Sequence, residues 1–159
     1  MHTPVLLDEL INLMDIKPDG IYIDCTGGGG GHAFAVSQKL SEKGRLIVLD
    51  RDIEAVDRLK EKFKDDTRIS VCHYNFADID LAMKENSIDE VDGIYADFGV
   101  SSFQLKEKGR GFSFRSEGPI DMRMDRSLEM TAGEVVNTYT IDNLSSIIYR
   151  FGEEKFAKK

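Results

Sequence analysis

Ile21-Tyr22-Ile23-Asp24-Cys25-Thr26-Gly27-Gly28-Gly29-Gly30-Gly31-His32 is the stretch on which the fold turns. Ile21 to Asp24 is a short apolar run ending in an acid, the mark of a buried strand. Five glycines follow, and a helix is expected to start near His32 or Ala33 and to end around Ser41 to Gly44. Strand, glycine turn and helix in that order form a device for holding a nucleotide-like ligand. Glycine tolerates positive φ and lets the backbone approach the ligand, while a helix start presents unpaired N–H groups. Gly28-x-Gly30-x-x-Ala33 fits the dinucleotide pattern, and Asp50 lies about 20 residues further on, where an acid accepts both ribose hydroxyls. That chemistry suits NAD and S-adenosylmethionine equally. Any run of five glycines matches such a pattern somewhere, so the acids carry the argument: Asp24 and Asp50 fall at the ends of neighbouring strands, where such folds bind ligands.

Working outward, strand and helix patterns alternate, which predicts an α/β fold with a parallel sheet. Val5 to Met14 has a broad apolar helical face at Leu6, Leu7, Leu10, Ile11, Leu13 and Met14, closed by the turn residues Lys17 to Gly20. Arg45–Asp50 is a second strand, and 53–63 a helix with Ile53, Val56, Leu59, Lys60 and Phe63 in step. Arg68–Cys72 is a third strand, 79–84 a short helix, and Val91–Asp97 a fourth strand. Right-handed crossovers give the order 3-2-1-4, with the first strand central. Asp24, Asp50, Phe76 and Asp97 then converge on one crevice, where Phe76 could lay its ring against adenine. The same order puts Cys25 and Cys72 two strands apart, roughly 9 to 10 Å, so both are expected to be reduced.

Beyond Asp97 the pattern fades. Residues 99–126 hold Gly99, Gly109, Gly111, Gly118 and Pro119 with little periodicity and read as a long loop or the entry to an inserted segment. Helices are expected over 131–138 and 141–150. The last nine residues, Phe151 to Lys159, are good helix formers without a stop signal and read as a helix cut in mid-course. Asp97-Phe98-Gly99 matches the magnesium-binding tripeptide of protein kinases, but no other kinase element precedes it. Arg110-Gly111-Phe112-Ser113-Phe114 resembles an RNA-recognition strand, but Ser113 and Arg115 break that pattern.

Composition bounds the function. The chain has 159 residues, 21 basic and 29 acidic side chains and a net charge of −8, which argues against sequence-blind nucleic-acid binding through bulk charge. Within 105–126 six basic residues stand against four acidic ones, a local +2 that leaves −10 elsewhere. Two cysteines and three scattered histidines (His2, His32, His73) make no metal site. No apolar run reaches the roughly 18–20 residues of a membrane span, and Met1-His2-Thr3-Pro4 lacks the order of a signal peptide, so a cytoplasmic protein is expected.

Longer matches go further. His2-Thr3-Pro4-Val5-Leu6-Leu7, Asp24-Cys25-Thr26 with Gly28 to His32, Leu49-Asp50-Arg51-Asp52 and Asp97-Phe98-Gly99-Val100-Ser101-Ser102-x-Gln104-Leu105 form one set. Arg110 to Arg115, Gly118 to Asp125 and Gly152 to Lys158 extend it. With these segments the chain resembles the bacterial S-adenosylmethionine-dependent methyltransferases that modify N4 of a cytidine in the decoding centre of 16S ribosomal RNA. The resemblance implies a Rossmann-like class I methyltransferase core over 1–104, and over 105–159 a loop and the start of an inserted helical domain for substrate recognition. It implies Gly30, Gly31 and His32 around the methionine part of the cofactor, Asp50 on its ribose and Phe76 near adenine, with Asp97 and Gln104 completing the pocket. No catalytic group is assigned. Asp97 could also polarise the cytosine amino group, although cofactor binding ranks above that role. Arg110, Phe112, Arg115 and Arg123 are the candidate contacts to 16S rRNA in the small ribosomal subunit, against the alternative that these rings and charges pack and pair within their own loop.

Phe98 and Phe103 stand where the family usually has Leu and Pro, and Ala33 where Ser is common. Family members run to roughly twice this length, so the chain is expected to be truncated, leaving strand four as an open edge through which a homodimer could form. Two other readings compete: an NAD-dependent oxidoreductase, and a cofactor-binding fragment with no activity of its own.

Overall fold

The computed structural model describes residues 4–115 and 117–158; Met1, His2, Thr3, Ser116 and Lys159, and the expectations that fall on them, lie outside the described residues. The chain divides into two units, one ending at Phe103 and one beginning at Gln104.

In the first unit α1 (Leu7–Met14) precedes β1 (Ile21–Asp24), α2 (Gly31–Ser37), β2 (Arg45–Asp50), α3 (Ile53–Lys62), β3 (Ile69–His73), α4 (Ile79–Glu85) and β4 (Gly93–Tyr95). All strand pairs are parallel, in the order β3-β2-β1-β4. Asp24 is registered against Val48 on one side and Tyr95 on the other, and Asp50 against His73. The expected order therefore holds, and the carboxyl ends of the strands meet at one edge.

Period two sorts the side chains between two cores. Tyr22, Leu46, Val48 and Tyr95 pack with Ala33 and Val36 of α2, Leu59 and Phe63, and with Leu10, Ile11 and Met14 of α1. Ile23, Ile47, Leu49 and Cys72 pack on the other face with Ala82 of α4 and Ile88. Leu13 belongs to neither core and is 85% exposed, so α1 buries a narrower stripe than its composition predicts. Cys25 and Cys72 are free thiols, as expected, and burial pushes both upward in pKa.

Several boundaries differ from expectation. α2 stops at Ser37, because the chain turns through Gln38–Gly44 and Ser41 donates its N–H to the Pro18 carbonyl. β4 is three residues long, and the 99–126 loop contains a short helix, α5 (Ser102–Lys106).

In the second unit α6 (Ala132–Thr138) begins at a capping box in which Thr131 and Glu134 bond reciprocally, and α7 (Ile141–Gly152) is capped by the Thr140 side chain. The expected continuous helix at the end of the chain does not form. Glu153 adopts a left-handed conformation (φ 54°) directly after Gly152 and closes α7.

The segment before α6 is built on polar contacts. Arg110 is 1% exposed, and its guanidinium donates to the carbonyls of Arg123 and Met124 at 3.1 Å each. Arg123 in turn forms a two-pronged pair with Asp121 (2.9 and 2.7 Å) and donates to the Leu128 carbonyl at 2.6 Å. At Gly111 (φ +73°) a Cβ would stand 2.7 Å from the Asp121 N and the Pro119 carbonyl, so this turn requires glycine.

Candidate cofactor site

The glycine turn leaves β1 through a chain of hydrogen bonds that alternate between side chain and backbone. Thr26 donates its N–H to Asp24 Oδ1 (3.0 Å), Gly27 to the Leu49 carbonyl (2.8 Å), Gly28 to Asp50 Oδ2 (2.8 Å), and Gly30 to the Gly27 carbonyl (2.7 Å). Asp50 Oδ1 also accepts from the Asp52 N–H at 2.9 Å. Thus the two predicted acids are the posts on which the loop hangs. Gly28 (φ +51°) and Gly30 (φ +68°) take the left-handed conformations that glycine permits. A Cβ on Gly27 would stand 2.6 Å from the side chains of Leu59 and Val48, so the loop lies directly on α3 and β2.

Asp24 is 1% exposed, and burial raises its carboxyl to about 6, against the opposing pull of the Thr26 N–H. Its Oδ2 and the buried Tyr95 hydroxyl have no hydrogen bond of normal geometry, although each perturbs the other's ionisation. Burial also drives the Tyr95 phenol well above its ordinary value. A buried acceptor without a donor costs on the order of 1–3 kcal/mol, and a ligand bearing an N–H cation would remove that cost. Asp50 is raised as well, by burial first, with the Asp52 and Gly28 N–H groups opposing.

Of the other predicted residues, His32, Asp97 and Phe76 lie as follows. His32 is buried at the start of α2, donates Nε2 to the Val5 carbonyl at 2.9 Å, and meets the Tyr95 ring edge-on at 6.4 Å. Asp97 is exposed beyond β4, and its N–H donates to Thr26 Oγ1 at 2.7 Å, tying the end of β4 to the glycine turn. Phe76 packs edge-on against Phe98, with centroids 5.3 Å apart and both rings exposed. Gln104, the first residue of the second unit, is buried.

Three contributors escaped the sequence reading. Tyr95 could have been found by period two from Asp97 along the fourth strand. Phe103 lies against the loop, since a Cβ on Gly29 would be 3.2 Å from its ring, and Arg58 stacks on that ring at 4.6 Å. Lys62 donates to the carbonyls of Gly29 and Gly30. Nothing in the sequence signals the last two, because they depend on how α3 crosses the loop.

The RNA-facing set needs correction. Arg110 is inaccessible, its charge spent on backbone carbonyls, and cannot meet a phosphate while its segment is folded. Arg123 is held by Asp121 and Leu128, and Phe112 is half-buried with Arg110 at 5.9 Å from its ring. Arg115 and the fully exposed Phe114 remain available. Among the described residues there is no cluster able to hold a metal ion, and no helix is long and apolar enough to cross a membrane.

Comparison with known proteins decides the family. Residues 1–159 match the MraW methylase family. The chain belongs to that family. Its relatives include the ribosomal RNA small subunit methyltransferase H of Clostridium botulinum strain Kyoto (Type A2) and that of strain 657 (Type Ba4). Each is 48% identical over 99% of this chain and 51% of the relative. The chain therefore spans about half the length of the curated relatives it matches. A solved SAM-dependent O-methyltransferase from Thermotoga maritima shares 16% identity over 62% of this chain and 36% of that one, with a TM-score of 0.48.

Proposed function

We propose that this member of the MraW methylase family binds S-adenosylmethionine at the glycine turn and forms the cofactor-holding part of a methyltransferase acting on N4 of a cytidine in the decoding centre of 16S rRNA. The observation that carries the reading is the buried Asp24 Oδ2 beside the glycine turn, an acceptor that has the Tyr95 hydroxyl near it but no hydrogen bond of normal geometry. The methionine ammonium of the cofactor can donate to it. Asp50 would suit the ribose of either cofactor, but a dinucleotide would bring a diphosphate to the turn beside Asp24, and like charge in a buried site opposes it. When bound, the cofactor supplies a methyl group on a sulfonium.

The residues take the following parts in this reading. Asp24 receives the ammonium, with the backbone of Gly30 and Gly31 and the packing of His32 shaping the methionine end. Asp50 keeps lone pairs beyond those given to Gly28 and Asp52, and these accept the ribose hydroxyls. Phe76, braced by Phe98, offers a ring to adenine. Asp97 and Gln104 are assigned to the cofactor by likeness to the family, and Asp97 is also the candidate to accept an N–H bond from a cytosine amino group. Such a bond localises the amine's lone pair and orients it for in-line displacement. Arg115 and Phe114 are the RNA-facing remainder of the 105–126 segment, and the protein acts on the small ribosomal subunit in the cytoplasm. The outer edge of β4 is open among the described residues, and further strands or a second copy could pair there.

Calorimetry with S-adenosylmethionine and with NAD tests the cofactor. Binding of the first alone is expected; binding of NAD alone would overturn the proposal. Methyl incorporation into small subunits, by this chain and by a longer one carrying it, separates a working enzyme from a cofactor-binding fragment. Light scattering at high concentration reads the edge, and a monomer counts against a homodimer.

A further inference from the structure

Five consecutive glycines give the turn its shape and also the largest conformational freedom that a chain can have, so an ordered turn needs pins. Most of those found are backbone or carboxylate acceptors that hold N–H groups. Lys62 is of the opposite kind. From the last turn of α3 its ammonium donates to the Gly29 carbonyl at 2.9 Å and the Gly30 carbonyl at 2.6 Å. The rings of Phe34 and Phe63 flank it at 5.9 and 5.2 Å. Leu59 of α3 and Phe63, which caps it, press against Gly30, where a Cβ would stand 2.8 and 3.0 Å from them.

A trans peptide points its N–H opposite to its carbonyl. The Gly30 carbonyl is held by Lys62 and also accepts the Phe34 N–H at 3.2 Å, so the Gly31 N–H is turned away from α3. Likewise, with the Gly29 carbonyl drawn to Lys62, the Gly30 N–H is left to close the turn on Gly27. We infer that Lys62 is a positioning residue, whose ammonium holds the Gly29 and Gly30 carbonyls against α3 and thereby fixes the turn with the Gly31 N–H directed away from α3, towards the ligand. Its effect on cofactor affinity rests on the S-adenosylmethionine reading above; its effect on the turn does not.

The experiment separates the two. Amide hydrogen exchange at Gly28–Gly31 is measured in the free protein for the natural chain, Lys62→Met and Lys62→Arg, beside S-adenosylmethionine affinity for all three. Lys62→Met should speed loop exchange about tenfold, the loss expected for a charge-assisted hydrogen bond, and weaken the cofactor by a similar factor. Lys62→Arg should restore part of both. Burial lowers the pKa of Lys62 below that of a free lysine, so the gap between natural chain and Lys62→Met should narrow at high pH sooner than an ordinary lysine would allow. If Lys62→Met leaves loop exchange unchanged while exchange in β1 and β2 confirms folding, the inference fails. Should Lys62→Met not fold, Lys62→Gln takes its place, and unchanged loop exchange there overturns the inference equally. A natural chain that binds no S-adenosylmethionine defeats the functional reading and leaves the exchange result standing as the test of Lys62.

Discussion

The sheet that carries the glycine turn and the segment around Arg110 solve the same problem by opposite means. In the first, strands sort their apolar side chains to two faces, and the few polar groups gather at one edge. In the second, an arginine at the centre takes the place of an apolar cluster, and order comes from hydrogen bonds to carbonyls and from the Asp121–Arg123 pair. Apolar packing is diffuse and tolerates local error, whereas a polar network fails when one member is removed. Each region holds a buried polar atom without a hydrogen bond of normal geometry, Asp24 Oδ2 in the first and Arg110 Nε in the second, but only the second has such a group at its centre.

The largest effect should come from the packed region. Leu59 belongs to the core and also backs Gly27 and Gly30. Leu59→Ala is expected to cost about 2–5 kcal/mol in denaturant unfolding, the range for a truncated core leucine. A loss under about 1 kcal/mol would mean that α3 does not rest on the sheet as described.

Next is Arg110. Arg110→Met takes the donor from the Arg123 and Met124 carbonyls, and because both residues are half-buried the cost is about 1–3 kcal/mol in all. Proteolysis within 107–131 should become fast, while cleavage within the sheet stays slow. If both regions loosen together, the contrast between them is wrong. The Asp121–Arg123 pair offers a milder probe. The Arg123 guanidinium holds the Asp121 carboxyl at about 2, so the pair's contribution is present above the ordinary carboxylate pKa and is lost as pH falls through about 2. Acid should therefore open this segment between about pH 4 and pH 2.

Asp24 has the opposite sign. Its carboxyl is raised to about 6, so the folded state is favoured below the unfolded value of 3.8 and loses that advantage as pH rises through about 6. Asp24→Asn should gain about 1–3 kcal/mol of stability at pH 8 and little at pH 4, while weakening S-adenosylmethionine. In the natural chain the affinity should fall as pH drops through about 6, since a protonated Asp24 no longer attracts an ammonium. Affinity flat from pH 5 to 8 would remove Asp24 from the site.

Legibility in the sequence followed the same divide. β1 and β2 were readable to the residue, because buried parallel strands appear as apolar runs closed by an acid, and the order 3-2-1-4 follows from crossover handedness. Asp24 and Asp50 were readable for the same reason. Arg110 was not, since composition cannot tell a buried arginine bonded to carbonyls from one waiting for a phosphate. The end of α7 was missed because a left-handed glutamate, rather than a glycine beyond the helix, stops it. Lys62 and Phe103 reach the turn only through tertiary crossing, which leaves no local pattern.

The smallest effect tests what remains of the RNA-facing set. Arg115 and Phe114 are exposed, so truncating either to alanine should change stability by no more than about 0.5 kcal/mol. In a longer chain that binds small-subunit RNA, Arg115→Ala should weaken binding and reduce the salt slope by about 1, the signature of one lost phosphate contact. Phe114→Ala should weaken binding with the slope unchanged, because stacking releases no counterions. Arg110→Met, in contrast, should weaken RNA only as far as it unfolds the segment, so its binding and proteolysis curves move together. If Arg115→Ala changes neither affinity nor slope, the local +2 of residues 105–126 reflects internal pairing alone, and the RNA contacts lie elsewhere in the protein.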